Sequence, residues 1–197
     1  MLAEKWQKPY RPVEDLLQRA KAGEREAFDH LFTCCKDGVY ACLWHLLDGD
    51  ADLVEEAVGS VFLSAYRSLS QFRGESALST WLYRIAVNEA HARLRQQRRR
   101  RLFGLLSFQE PKVSRESLPK AEDPAETLQR AEEERLLWQA VNALPEPYRT
   151  PVVLRYMSGI TTGDIAEVLR RPAGTVRYQL SRGLQILRER LGSEWNR

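Results

Sequence analysis

The chain is poor in the residues that carry covalent or metal chemistry. Its 197 residues include three cysteines, three histidines and two methionines. Cys34, Cys35 and Cys42 are too few for a disulfide framework, so a reducing, cytoplasmic setting is expected. Cys35, Cys42 and His45 form a conceivable metal-ligand set, but no fourth ligand has a recognisable spacing. The chain has no glycine-rich phosphate cradle and no nucleophile–base pair that can be placed. These absences leave an enzyme reading without support, and no cofactor is expected. No apolar run approaches the length of a membrane span, and the opening MLAEKWQKPYRP has no signal-like apolar core. No membrane insertion is expected.

Net charge is also small, at +3, yet it is unevenly spread. Arg84 to Arg101 is strongly basic, whereas Glu110 to Glu134 is mostly acidic. A basic stripe beside an acidic tether points to nucleic acid and a large partner rather than to a small substrate.

The basic stripe belongs to the most informative stretch, FRGESALSTWLYRIAVNEAHARLRQQRRRR, at Phe72 to Arg101. A polar turn is followed by one long helical pattern. Leu78, Leu82, Ile85, Ala86 and Glu89 share one side, while Arg84, Asn88, His91 and Arg95 share another. Six arginines lie between Arg93 and Arg101 with no acid among them. A solvated helix face is the plain explanation of such a run. Against it, Trp81 and Tyr83 offer flat surfaces for unpaired bases, and Arg73, Gly74, Glu75 and Ser76 are small and polar enough to wall a pocket for one extruded base.

Upstream, Met1 to Pro12 reads as a flexible arm, and Val13 to Ala22 as a short helix stopped by Gly23. Glu24 to Leu47 reads as a helix buried through Phe28, Leu31, Cys35, Val39, Cys42 and Leu46, which gives Cys35 and Cys42 a plain role as small core residues. Ala51 to Leu69 follows, capped by Asp50. Its outer side starts acidic, with Asp52, Glu55 and Glu56, either solvated or facing a basic partner surface.

Downstream, Leu102 to Ala125 reads as a linker, broken by Pro111, Pro119 and Pro124. Helices then end near Leu144-Pro145 and near Ser158. Thr161 or Thr162 can cap a short helix, Arg170-Arg171-Pro172 makes a turn, and Ala173 to Leu191 is the last helix. This is helix-turn-helix spacing. Thr175, Arg177, Tyr178, Ser181 and Arg182 face away from its apolar stripe, in the half that enters a major groove. An ordinary helical hairpin with a polar outside is the alternative. The expected fold is all-α: two small helical domains, 13–101 and 126–192, joined by a flexible acidic linker, 102–125.

The chain resembles bacterial extracytoplasmic-function (ECF) sigma factors, the promoter-recognition subunits of RNA polymerase. The densest matches are Phe72 to Arg100 and LPEPYRTPVVLRYMSGITTGDIAEVLRRPAGTVRYQLSRGLQILRERL at Leu144 to Leu191; GEREAFDHLF and FLSAYRSL also fit. The resemblance implies a first domain that holds core RNA polymerase and reads the promoter minus-ten element as a melted strand. The Phe72 to Thr80 loop would take a flipped base, and Arg84 and Asn88 would line the strand's track. The second domain would read minus-thirty-five duplex through Arg177, Tyr178, Ser181 and Arg182. The linker would thread into the polymerase. An anti-sigma protein is implied as a regulator, and sensing would reside in a separate protein. Gly59 and Ser60 stand where the family usually has a Gln-Glu pair that docks on the large polymerase subunit, beside Glu55 and Glu56. A helix-turn-helix regulator that binds duplex DNA without polymerase is the rival reading.

Overall fold

The structure is a computed structural model that describes residues 11–102, 133 and 135–195. All regular structure among them is helical. The sequence-derived linker lies almost wholly outside the described residues.

The first helix, α1 (Arg11–Lys21), ends where Gly23 takes a positive φ of 93°. It begins inside the expected arm. Its Ala20 packs on Ala27 and Leu31 of α2 (Arg25–Leu46) and on Leu69. Along α2, Leu31, Cys35, Val39, Cys42 and Leu46 are buried at steps of three and four, as the periodicity demands. The chain then reverses through Asp48 and Gly49, both with positive φ. Asp50 caps α3 (Ala51–Ser68) by accepting the Leu53 amide at 3.1 Å. A 3-10 turn (Leu69–Gln71) leads to the Phe72 turn and α4 (Leu78–Leu102).

The buried side of α4 is rotated from the expected one. Leu82, Tyr83, Ala86, Val87 and Ala90 are its core residues, whereas Leu78, Ile85 and Glu89 are half-buried. Tyr83 is therefore no stacking surface. It is 6% exposed, and its hydroxyl lies only 2.7 Å from where a Cβ on Gly38 would stand. Burial pushes its phenol up to about 12. Helix packing against α2 and α3 thus overrides the simple sequence stripe.

The second domain comprises α5 (135–142), α6 (Glu146–Tyr156), α7 (Thr162–Leu169) and α8 (Ala173–Trp195). Helix α6 starts two residues before the expected Tyr148, so Pro151 falls beyond its first turn. Pro151 is fully buried there, and apolar contact offsets a lost backbone bond. At α7, Thr161 is the cap: its hydroxyl accepts the Asp164 amide at 3.2 Å, and the Asp164 carboxylate accepts the Thr161 amide at 3.3 Å. Arg170 takes the left-handed conformation, φ 51°, to end α7. Val176, Leu180 and Leu187 hold α8 on α6 and α7.

The two domains share a seam. Helix α7 lies against α4, and α6 against the end of α2. A Cβ added at buried Gly183 of α8 would stand 2.8 Å from Val152 Cγ2 and 3.4 Å from Tyr148 Cβ. Gly183→Ala is therefore expected to force α8 off α6 and to lower stability by about 1–3 kcal/mol despite the better helix propensity of Ala. Chemical denaturation would show this, and an unchanged or raised midpoint would contradict the packing.

Candidate functional site

Three surfaces carry the residues singled out from sequence. The first is the Phe72 turn with the outer side of α4. Phe72 itself is buried: its ring leans on Trp81 at 5.3 Å, the Lys21 ammonium lies 5.2 Å from its centroid, and its carbonyl accepts from Lys21. It is a peg that fixes the turn. Arg73 is exposed and weakly paired with Glu75 at 3.9 Å. Gly74 needs its glycine, because φ is 75°. Ser76 and Trp81 are half-buried.

On α4, Thr80 is 1% exposed and donates to Asp164 Oδ1 at 3.2 Å across the seam. Arg84 is half-buried, and its Nε has no partner among the described residues. Asn88 and Arg95 are exposed. His91 is half-buried with Nε2 3.2 Å from Thr150 Oγ1 of α6. Burial lowers its pKa, Glu146 opposes that, and Arg95, Arg171 and Arg149 reinforce it.

Not all the arginines are free of acids, as the sequence run suggests. Arg93 turns the other way and donates to Glu89 and to Glu56, each at 2.8 Å, and to Ser60 Oγ at 3.0 Å. The Glu89–Arg93 spacing of four was a readable signal for the first of these. Arg98 pairs with Glu146 at 3.1 Å.

The second surface is the outer side of α3. Glu55, Glu56 and Gly59 are exposed and Ser60 is half-buried. Leu63 and Tyr66 continue this side and are about half exposed, although Tyr66 carries a buried-side spacing in the sequence. An apolar pair bordered by carboxylates is a surface fit for a protein partner.

The third is α8. Thr175, Arg177, Tyr178 and Ser181 are exposed, Tyr178 to 63%, and Arg182 is half-buried. Gln179, between them in sequence, is buried. The face presents guanidinium, phenol and hydroxyl groups with nothing over them among the described residues. Arg170 and Arg171, both exposed, extend it at the turn.

Cys35 and Cys42 lie in the core, and burial pushes both thiols up to about 12. Cys34 is exposed. Among the described residues no three His, Cys, Asp or Glu side chains converge as metal ligands, so Cys35, Cys42 and His45 are not gathered.

Sequence reasoning missed the groups that join the domains. His45 of α2 stacks on Trp138 of α5, with centroids 3.5 Å apart and planes 11° from parallel. Arg149 of α6 reaches Asp48 at 2.8 Å and the Leu46 carbonyl. Beside them lies a polar cavity of about 340 Å3 lined by His91, Arg98, Asn142 and Arg149, among others. Nothing in the local pattern links positions so far apart.

Two family models match this chain. Sigma-70 region 2 matches residues 31–100, and Sigma-70 region 4 matches residues 134–187. RNA polymerase sigma-H factor of Pseudomonas aeruginosa is 32% identical over 176 residues, 88% of this chain and 91% of that protein. The ECF RNA polymerase sigma-E factor of Haemophilus influenzae is 33% identical over 180 residues, covering 89% and 93%. Among solved structures, CnrH in complex with the cytosolic domain of CnrY has a TM-score of 0.66 at 19% identity, covering 92% of this chain and 98% of that one. Sigma factor RpoE in complex with the anti-sigma factor NepR, from Bartonella quintana, has a TM-score of 0.69 at 22% identity, covering 84% and 96%. The chain belongs to the ECF sigma factors of RNA polymerase. It is an alternative sigma factor, a DNA-binding initiation factor that directs RNA polymerase.

The seam gives a pH test. Burial beside Trp138 lowers the His45 pKa from 6.5 to about 4, so the packed state favours neutral imidazole. That contribution is complete above about pH 6.5 and is lost as pH falls towards 4, amounting to about 2 kcal/mol by pH 5. Thermal midpoints from pH 7 to pH 5 should therefore fall more steeply in the native chain than in His45→Phe, which keeps an aromatic stack. Equal slopes would contradict the assignment.

Proposed function

We propose that this sigma factor reads its promoters at two places with two different kinds of surface. Region 13–101 holds core polymerase and the melted minus-ten strand, and region 126–192 holds minus-thirty-five duplex. On α4, Asn88, Arg84 and Arg95 supply donors to bases and phosphates, His91 and Thr80 extend the track, and the turn from Arg73 to Ser76 accepts a flipped base. Phe72 and Trp81 shape that turn. On α8, Arg177 and Tyr178 read base edges while Thr175, Ser181 and Arg182 set the register on phosphates. The polymerase dock is the side of α3 bearing Glu55, Glu56, Gly59 and Ser60, extended by Leu63 and Tyr66.

The observation that carries this reading is the double exposure: Asn88 and Arg95 on α4, and Arg177 and Tyr178 on α8, all stand free to meet DNA. A duplex-binding regulator would need only the second set. The factor works by binding alone, without bond chemistry, and in the cytoplasm; among the described residues no helix is long and apolar enough to cross a membrane. The Bartonella quintana neighbour was solved with an anti-sigma factor. A comparable protein that masks the polymerase dock is proposed for this chain.

Asn88→Ala should separate recognition from assembly. Open-complex formation is expected to fall about tenfold, the worth of one hydrogen bond to a base, while affinity for core polymerase stays within about twofold. Permanganate reactivity of the melted strand and polymerase titration measure the two quantities. Equal losses in both would overturn the role of Asn88.

A further inference from the structure

Helix α1 lies outside residues 31–100, the part of the chain that the region 2 model matches. Its last residue nevertheless reaches the turn that precedes α4. Lys21 is half-buried, and its ammonium donates to the carbonyl of Phe72, 51 residues further along the chain. The same ammonium stands 5.2 Å from the centroid of the Phe72 ring. That ring also leans on Trp81, with centroids 5.3 Å apart. The end of α1 that carries Lys21 is fixed in its turn, because Ala20 is buried against Ala27, Leu31 and Leu69.

The turn itself has little to hold it. The Phe72 amide donates to the Leu69 carbonyl, and α4 takes over where the Trp81 amide donates to the Ala77 carbonyl. Between these points, among the described residues, no backbone hydrogen bond to or from Arg73, Gly74, Glu75 or Ser76 closes the turn. Arg73 and Glu75 meet only at 3.9 Å, and both are largely exposed. Gly74 has open space where a Cβ would stand. The turn therefore keeps its shape through its two ends, which are α4 and Phe72. The Phe72 carbonyl and the Arg73 amide share one peptide plane. A charged donor on that carbonyl thus also fixes where the Arg73 amide points, at the entrance of the turn. A loose turn must be ordered when it closes on a ligand, and that ordering weakens binding. Fixing Phe72 beforehand removes part of this loss.

We propose that Lys21 is a positioning residue for base capture: it holds the Phe72–Arg73 peptide plane so that the turn from Arg73 to Ser76 is formed before the base arrives. The proposal rests on the reading of that turn as the pocket for a flipped base. Lys21 acts through Phe72 and touches neither base nor polymerase. Promoter reading by the first domain thus draws on α1 as well as on α4.

The test uses the full chain with core polymerase and a labelled single strand carrying the non-template minus-ten segment of a promoter selected by the native factor. Abasic sites are placed one at a time along the segment, and fluorescence anisotropy gives the affinity. In the native factor the captured position should show the largest loss, about tenfold, the scale of one stacked base. Lys21→Met keeps the aliphatic stem and removes the ammonium. It should bind the intact strand about tenfold more weakly, and the abasic site at the captured position should then cost less than about twofold. Penalties at the other positions, and affinity for core polymerase, should stay within about twofold of native. Lys21→Arg, which keeps a cationic donor, should retain the native penalty. Lys21→Gln takes the place of the Met variant if that one does not fold. An undiminished penalty at the captured position in the neutral variant would overturn the role of Lys21, because lost attraction to phosphates alone gives that result. Equal behaviour of the Arg and Met variants would overturn the role of the ammonium. If abasic sites cost the native factor the same at every position, the base-pocket reading fails and the proposal with it; that failure shows in the native factor, before any variant is made.

Discussion

Helix α4 is buried from two sides, and most of what the chain does follows from that. One side carries Leu82, Ala86 and Ala90 into the first domain's core. The neighbouring side carries Thr80 and His91 to the second domain. Asn88, Ala92, Arg95 and Gln96 remain in solvent, as does the arginine-rich end of the helix. A helix can serve a core and a ligand at once because its side chains point outward around the full turn. On α4 the same geometry serves a core and the second domain and leaves Asn88 and Arg95 exposed.

The charges are sorted along the same lines. Arg93 is committed to Glu56, Glu89 and Ser60, and so ties α4 to the outer side of α3. Arg149 ties the second domain to the end of α2. Arg95, Arg99 and Arg100 remain exposed at the basic end of α4. Arginines within one basic run thus stand in different settings: Arg93 braces the protein, and Arg95, Arg99 and Arg100 stay exposed. Uncompensated exposed cations contribute little to folding and much to anion binding.

The elements that local periodicity governs were legible in the sequence. The α2 stripe from Leu31 to Leu46, the Asp50 cap, a threonine cap at Thr161 or Thr162 and the exposed side of α8 all follow from spacings of three and four and from capping chemistry. The burial of Tyr83 and the exposure of Tyr66 did not follow, because each depends on which neighbouring helix covers it. Glu89 and Arg93 were readable as a pair by spacing alone. The Lys21–Phe72 contact, the His45–Trp138 stack and the Arg149–Asp48 pair were not, because they join residues far apart in the chain. The chemical types of the candidate residues were readable, while their accessibility was set by tertiary packing.

The central claim is that the exposed strip of α4 meets separated DNA. It is tested most directly by placing a photoreactive amino acid at Asn88 and irradiating the open complex with core polymerase on a promoter selected by the native factor. The account predicts cross-links to the non-template strand within the melted minus-ten segment and none to the same sequence held as intact duplex. Cross-links of equal strength to intact duplex, or cross-links to polymerase alone, would contradict it.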